Sequence, residues 1–147
     1  MLFSRIKRED PEKIFVVVKA GEALLKSRPV CLHFNGTDDG LMGYTADAAT
    51  DSMTTLGIAD KDISIGGFGL VQCYGFRSDV YTINASSESN NSGGMYGIDS
   101  VSSGHLKQIS SSMAELTQLP NFAGAHSISI TTTDALRLTG IFIRCMG

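Results

Sequence analysis

Three histidines and three cysteines are the residues of this chain best suited to metal binding or nucleophilic chemistry. The histidines, His33, His105 and His126, are not spaced four residues apart, and none neighbours a cysteine at zinc-ligand spacing. His33 alternates with apolar residues in a strand-like stretch, which favours a solvent-facing or locally hydrogen-bonded side chain. The histidines therefore predict no metal site.

The cysteines, Cys31, Cys73 and Cys145, are far apart in the sequence and form no CxxC pair. Each lies in an apolar, strand-like stretch, where a thiol acts as a small hydrophobic side chain. None lies at a helix start or in another setting that lowers a thiol pKa. We expect three reduced, buried thiols rather than a disulfide or a reactive nucleophile.

Other catalytic and ligand-binding motifs are absent from the sequence or lack the residue spacing that their chemistry requires. There is no Gly-x-Ser-x-Gly elbow, and a Ser/His/Asp site assembled in space has no motif behind it. The run Gly66–Gly69 leads into a strand where a phosphate loop requires a helix, so it predicts a structural turn. Asp38-Asp39 and Asp60/Asp62 lack the spaced acidic loop of a calcium site and are interpreted as turn residues. We expect no cofactor.

The composition favours one folded, β-rich domain. The chain has 147 residues, 42% of them hydrophobic and only 18% charged, and Gly, Ser and Thr make up the difference. The net charge of −3 provides no field that attracts nucleic acid. The longest apolar run, Ile14–Val18, is too short to span a membrane. We therefore expect neither a nucleic-acid partner nor a membrane partner.

The elements that must position these residues are mainly strands. The capping-box spacing of Ser112 and Glu115 predicts one helix over Ser111–Leu119, which Pro120 is expected to stop; a single helical turn is expected over Gly21–Lys26. We see no internal repeat in the sequence. The predicted strands are Phe15–Lys19, Pro29–Phe34 with one buried face, Leu41–Thr45, Thr54–Ala59, Phe68–Tyr74, Asp79–Ala85, two short strands within Tyr96–Ile109, Ser127–Thr131 and Leu136–Met146.

The centre of the chain, Leu56–Ile83, is a glycine-punctuated β unit. Its strand Phe68–Tyr74 is apolar on both faces apart from Gln72, and Gly75 is predicted to end it. Such a strand suits a small closed or strongly coiled barrel. The predicted fold is mainly β, a small β-barrel or sandwich-like single domain over residues 14–147, with one short helix (Ser111–Leu119) and an extended N-terminal arm over residues 1–13.

Three stretches of the sequence carry a resemblance to a known class of proteins. They are Asp10–Lys19 with Pro29–Cys31 and Asn35–Leu41; Leu56–Ala59 with Gly66–Phe76; and Ile141–Met146. Together they resemble the small virion proteins encoded near the major capsid protein of tailed bacteriophages, which are presumed head decoration, or cement, proteins.

The resemblance implies a non-catalytic protein that binds and stabilises the outer surface of a phage capsid. Its partner would be the major capsid protein, its oligomeric state a homotrimer, and its place the capsid exterior after synthesis in the host cytoplasm. The N-terminal arm could order on the capsid, which makes Phe3, Arg5, Lys7 and Arg8 the candidate capsid contacts. The alternatives are a tail or head–tail connector subunit and a small hydrolase with a dispersed Ser/His/Asp site.

Overall fold

The computed structural model describes residues 12–33, 42–47, 54–83, 95–98, 104–108, 122–125 and 137–145. These ranges contain no helix, and hence none long and apolar enough to cross a membrane. Within them lie nine strands of one sheet: β1 Ile14–Ala20, β2 Pro29–Leu32, β3 Met42–Thr45, β4 Thr55–Ala59, β5 Phe68–Ile83, β6 Met95–Ile98, β7 Leu106–Gln108, β8 Phe122–Ala125 and β9 Arg137–Arg144.

The strands close into two hydrogen-bonded rings that share β5. The first ring runs β1-β3-β2-β4-β5 and returns to β1, and the second runs β5-β7-β6-β8-β9 and returns to β5. In each ring the first and third strands along the chain are parallel, and the other neighbours are antiparallel. The two halves of the chain therefore repeat one topology, although their sequences show no repeat.

Strand β5 can belong to both rings because it is 16 residues long. It pairs with β1 from Phe68 to Tyr74 and with β9 from Tyr74 to Thr82. The prediction that Gly75 ends this strand is wrong. Gly75 has φ +101°, and the carbonyl oxygen of Glu12 occupies the place where a β-carbon would lie. The glycine thus lets the N-terminal chain cross β5 closely without interrupting it.

Two clusters of buried side chains fill the molecule. Successive side chains of β2 pack into different clusters. Val30 packs into the core of the first ring, and Cys31 packs into a core that both rings share. The prediction of one buried face for this strand is therefore wrong. The first-ring core contains Val18, Ala20, Leu24, Val30, Ala59, Ile63 and Val71; the shared core contains Cys31, Ala46, Ile58, Val80, Tyr96, Ile98, Leu106, Ile141 and Ile143. The shared core makes the two rings one packed unit.

The helical turn predicted over Gly21–Lys26 is also wrong. Leu24 instead forms an isolated antiparallel bridge with Ile63, in which each backbone nitrogen donates to the other residue's carbonyl oxygen at 2.9 Å. The bridge buries Leu24 in the first-ring core, where its side chain is 1% exposed. The burial of Leu24 thus favours an extended conformation over a helical turn in Gly21–Lys26.

Most strand predictions within the described residues are confirmed, with ends that differ by a few residues. The single β5 replaces two predicted strands, and β8 was not predicted. The helix Ser111–Leu119 and the strand Ser127–Thr131 lie outside the described residues. The mainly β, barrel-like class is confirmed.

Candidate functional site

A cluster of charged side chains lies at a bulge in β5. The pairing register with β9 shifts between Arg77 and Val80, so two residues of β5, Ser78 and Asp79, lie opposite the single Gly140 of β9. A bulge re-aims the side chains around it. Here it brings the Arg77 guanidinium, whose side chain is only 6% exposed, between two carboxylates.

Arg77 makes ion pairs with Asp60 and Asp79. Its Nε lies 2.7 Å from Asp79 Oδ1, and its Nη1 lies 3.2 Å from Asp60 Oδ1. Its Nη2 also donates to Asp79 Oδ2 at 3.3 Å and to the Asp60 carbonyl oxygen at 3.4 Å. This set of contacts joins the end of β4 to the middle of β5.

The Asp79 carboxylate also binds the loop before β2. Ser27 is 2% exposed and has φ +67°, a strained value for a residue with a side chain. Its hydroxyl donates to Asp79 Oδ2 at 3.0 Å, and its carbonyl oxygen accepts from Tyr81 N at 3.0 Å. The neighbouring Lys26 Nζ lies 3.3 Å from Asp79 Oδ2. Three contacts therefore hold the strained turn at Ser27 to β5: two to Asp79 and one to Tyr81. We call these contacts, together with the ion pairs of Arg77, the Arg77 latch.

The pKa of Asp79 reflects this environment. Burial by itself would raise the pKa, but the Ser27 hydroxyl, the Arg77 charge and the Lys26 ammonium group outweigh burial and hold it below its ordinary value. Asp79 is consequently ionised at neutral pH, as its role in the latch requires.

A cleft of about 630 Å³ opens beside this cluster. Its described lining contains neither histidine nor cysteine, and no group of three metal-ligating side chains occurs in the described part of the chain. The cluster's carboxylates face Arg77 and Lys26, so the chemistry that the geometry supports here is structural: cross-linking β4, β5 and the loop before β2. The lining residues are Lys13, Phe15, Lys26, Asp60, Lys61, Asp62, Gln72, Arg77, Ser78 and Asp79.

Next to the cleft, the outward side of β1 and β5 is apolar. We call the residues Phe15, Val17, Phe68 and Leu70 the β1/β5 face; they are 38%, 66%, 73% and 45% exposed. Val17 lies directly opposite Leu70 on the neighbouring strand. The apolar outer residues of β5 therefore face outward at its start, and only its other side, with Val71, packs into a core.

None of the three cysteines, all of which the structure describes, forms a disulfide bond. Cys31 and Cys73 are buried, and Cys145 is half-buried. Cys145, the first residue after β9, is a neighbour of Cys73 on β5, because Cys145 N donates to the Cys73 carbonyl oxygen at 3.0 Å. Burial raises the pKa of Cys73, and burial together with Cys73 raises that of Cys145 to about 12. Both thiols are protonated and weakly nucleophilic at neutral pH.

The remaining residues singled out in the sequence do not converge. His33 stacks on Tyr44 with ring centroids 4.2 Å apart, and His105 meets Tyr81 edge-on at 6.3 Å. His126 lies outside the described residues, as do the candidate capsid contacts Phe3, Arg5, Lys7 and Arg8. The predicted turn at Gly66-Gly67 is confirmed, with Gly66 at φ +74°.

Sequence reasoning missed Arg77 and Asp79. The signal for them was present, because Arg77-Ser78-Asp79 interrupts a run of apolar strand residues with two opposite charges. Buried charges are rare unless they are paired.

No family model matches the chain, and a search of curated proteins finds no match.

Proposed function

We propose that this protein is a non-catalytic structural component of a phage virion, which binds and stabilises the outer surface of the capsid. The observation that carries the proposal is the position of the chain at the root of the N-terminal arm. Glu12 packs against β5 at Gly75, where the two rings meet. An arm held at this point can transmit force to the whole molecule.

The double ring suits a protein that resists deformation. Strand β5 pairs with β1, β4, β7 and β9, so a load applied at Gly75 spreads over both rings. Closed rings also limit the exposed strand edges along which sheets slip or aggregate. The latch at Arg77 and the shared core then keep the rings in one fixed arrangement.

The arm would supply the adhesive part of the function. Residues 1–11 would span roughly 35 Å if extended. Phe3 offers an apolar anchor, and Arg5, Lys7 and Arg8 offer cations for acidic surface groups. A segment that orders on its partner binds weakly per site, and contacts repeated over the particle multiply that affinity.

Co-sedimentation with expanded and unexpanded phage heads tests the proposal. The unaltered protein should pellet with expanded heads. A variant with Arg5→Glu and Lys7→Glu should bind about tenfold more weakly, because two attractive charges become repulsive. The matched control is Lys19→Glu with Arg144→Glu, since Lys19 and Arg144 are exposed cations on the folded body.

The outcomes separate the proposal from its contact residues. Failure of the unaltered protein to pellet with either kind of head contradicts capsid binding itself. Binding that survives both arm substitutions contradicts the arm as the contact and leaves the folded body as the binding surface.

A further inference from the structure

Two cysteines of this chain lie opposite each other where the two rings meet. Tyr74 of β5 pairs with Arg144 of β9, so the next antiparallel step places Cys73 opposite Cys145. The backbone agrees, because Cys145 N donates to the Cys73 carbonyl oxygen at 3.0 Å. Directly opposite residues of antiparallel strands project their side chains from one face of the sheet. The two thiols therefore share a face, and the Cys73 thiol is near enough to raise the pKa of the Cys145 thiol by charge repulsion.

The spacing of such a pair is compatible with a disulfide bond. Opposite residues that share a backbone hydrogen bond have Cα atoms about 5.5 Å apart, and disulfides span Cα separations of roughly 4.4–6.8 Å. The Cβ atoms of opposite residues lie about 4.5–5.5 Å apart, so bond formation draws them together by roughly 1 Å. Cys145 can supply this movement, since it follows the last residue of β9 and is only half-buried.

The third cysteine, Cys31, has no cysteine opposite it. Its pairing partners are Tyr44 on β3 and Thr55 on β4. Its Sγ lies 3.6 Å from the Tyr44 carbonyl oxygen and 3.8 Å from the Thr45 carbonyl oxygen, and the side chain is fully buried in the shared core. The strand pairing therefore selects one pair of thiols out of the three.

We propose that Cys73 and Cys145 form a disulfide bond in the presence of an oxidising small-molecule disulfide. The Cys145 thiol loses its proton, and the thiolate attacks one sulfur of the small disulfide, breaks its S–S bond and releases one small thiolate. The Cys73 thiolate then attacks the Cys145 sulfur and releases the second small thiolate. The protein thus gives up two protons and two electrons, which convert the small disulfide into two thiols.

This bond joins the two rings covalently. Cys73 belongs to the part of β5 that lies beside β1 in the first ring, and Cys145 follows the last strand of the second ring. The closed loop contains β6, β7, β8 and β9, and a link across a long loop restricts the unfolded chain strongly. The thiols stay reduced in a reducing cytosol and combine after transfer to an oxidising medium. The reaction is independent of what the protein binds.

Oxidation of the purified full chain tests the proposal. The protein is incubated for a day at about pH 8.5 with oxidised glutathione, because thiols that are protonated near neutral pH exchange slowly. After alkylation in denaturant the chain should carry one alkyl group instead of three. A digest without reductant should contain one pair of peptides linked through Cys73 and Cys145. The midpoint of thermal unfolding should rise by about 5–10 °C on oxidation and return to its starting value on reduction.

The matched variants are Cys145→Ala and Cys31→Ala, each of which removes one thiol. Cys145→Ala should show no rise of the midpoint on oxidation, whereas Cys31→Ala should keep the full rise. Oxidised and reduced forms of the same variant are compared, so the effect of the substitution itself on folding cancels. Three alkylated thiols after oxidation, a bond that includes Cys31, a link between two chains, or a mixed disulfide with glutathione that reacts no further overturns the proposal. An oxidised protein that unfolds at a lower temperature than the reduced one overturns the stabilising role.

Discussion

Replacing Asp60 and Asp79 together by asparagine removes both carboxylates that face the Arg77 guanidinium. The Arg77 side chain is 6% exposed, whereas those of Asp60 and Asp79 are 34% and 32% exposed. Water can therefore replace Arg77 around the carboxylates but can hardly reach the guanidinium. A buried charge that loses its partners typically costs 3–5 kcal/mol, and we expect the double variant to lose about that much free energy of unfolding.

The converse change should cost less. Arg77→Met removes the buried cation and keeps most of the side-chain volume. Water can then hydrate the two carboxylates, because about a third of each aspartate side chain is exposed. We expect a loss of about 1–2 kcal/mol, mainly from the hydrogen bonds that joined β4 to β5. The single Asp79→Asn variant should fall between the two, because Asp60 still faces Arg77.

Equilibrium unfolding in urea at pH 7 measures these differences, and its pH dependence checks their origin. The folded-state pKa of Asp79 is lowered, so its contribution to stability is complete above its unfolded pKa of about 3.9 and is lost as the pH falls through the folded value. The gap between the unaltered protein and Asp79→Asn should therefore narrow below about pH 4. An Arg77→Met variant as unstable as the double asparagine variant, or a gap that is constant with pH, would refute the reasoning.

Three further predictions follow from the fold. Gly75→Ala should cost more than about 2 kcal/mol, since it combines φ +101° with a clash against the Glu12 carbonyl oxygen. Gly66→Ala, at φ +74° with no neighbouring atom within 4 Å, should cost only about 1 kcal/mol, and equal losses would contradict this account. Ile58→Ala should cost about 2–5 kcal/mol in one cooperative unfolding transition, because Ile58 is fully buried in the core that joins the rings; two separate transitions would contradict that core. In the native protein at pH 8 Cys145 should resist Ellman's reagent, because its pKa is about 12, while all three thiols should react in denaturant; rapid native labelling of Cys145 would contradict its burial.

The strands were predictable because their signals are local. The apolar run at β1, the turn at Gly66 and the apolar stretch near the C-terminus each lie within a few residues. A barrel-like fold was predicted, but its division into two rings that share β5 was not predictable, since it depends on pairings such as Thr82 with Leu106 that join distant parts of the chain. The repeated topology is hidden for the same reason.

Single side chains also misled where tertiary contacts prevailed. A glycine such as Gly75 is typical of a strand end. Here it lies inside β5, where the missing side chain makes room for the backbone of Glu12. The apolar residues at the start of β5 predicted burial on both sides, yet Phe68 lies on the surface. The Arg77 latch needed the bulge to bring Asp60 and Asp79 together, and no spacing rule in the sequence records that geometry.

Electron cryo-microscopy of the phage particle tests the central claim most directly. The account predicts density for the double ring at many positions on the outside of the expanded capsid, with an arm leading from the middle of β5 to a capsid subunit. Density confined to the neck or tail would contradict the claim in favour of a connector or tail subunit. A particle with no density for this protein would contradict a structural role in the virion altogether.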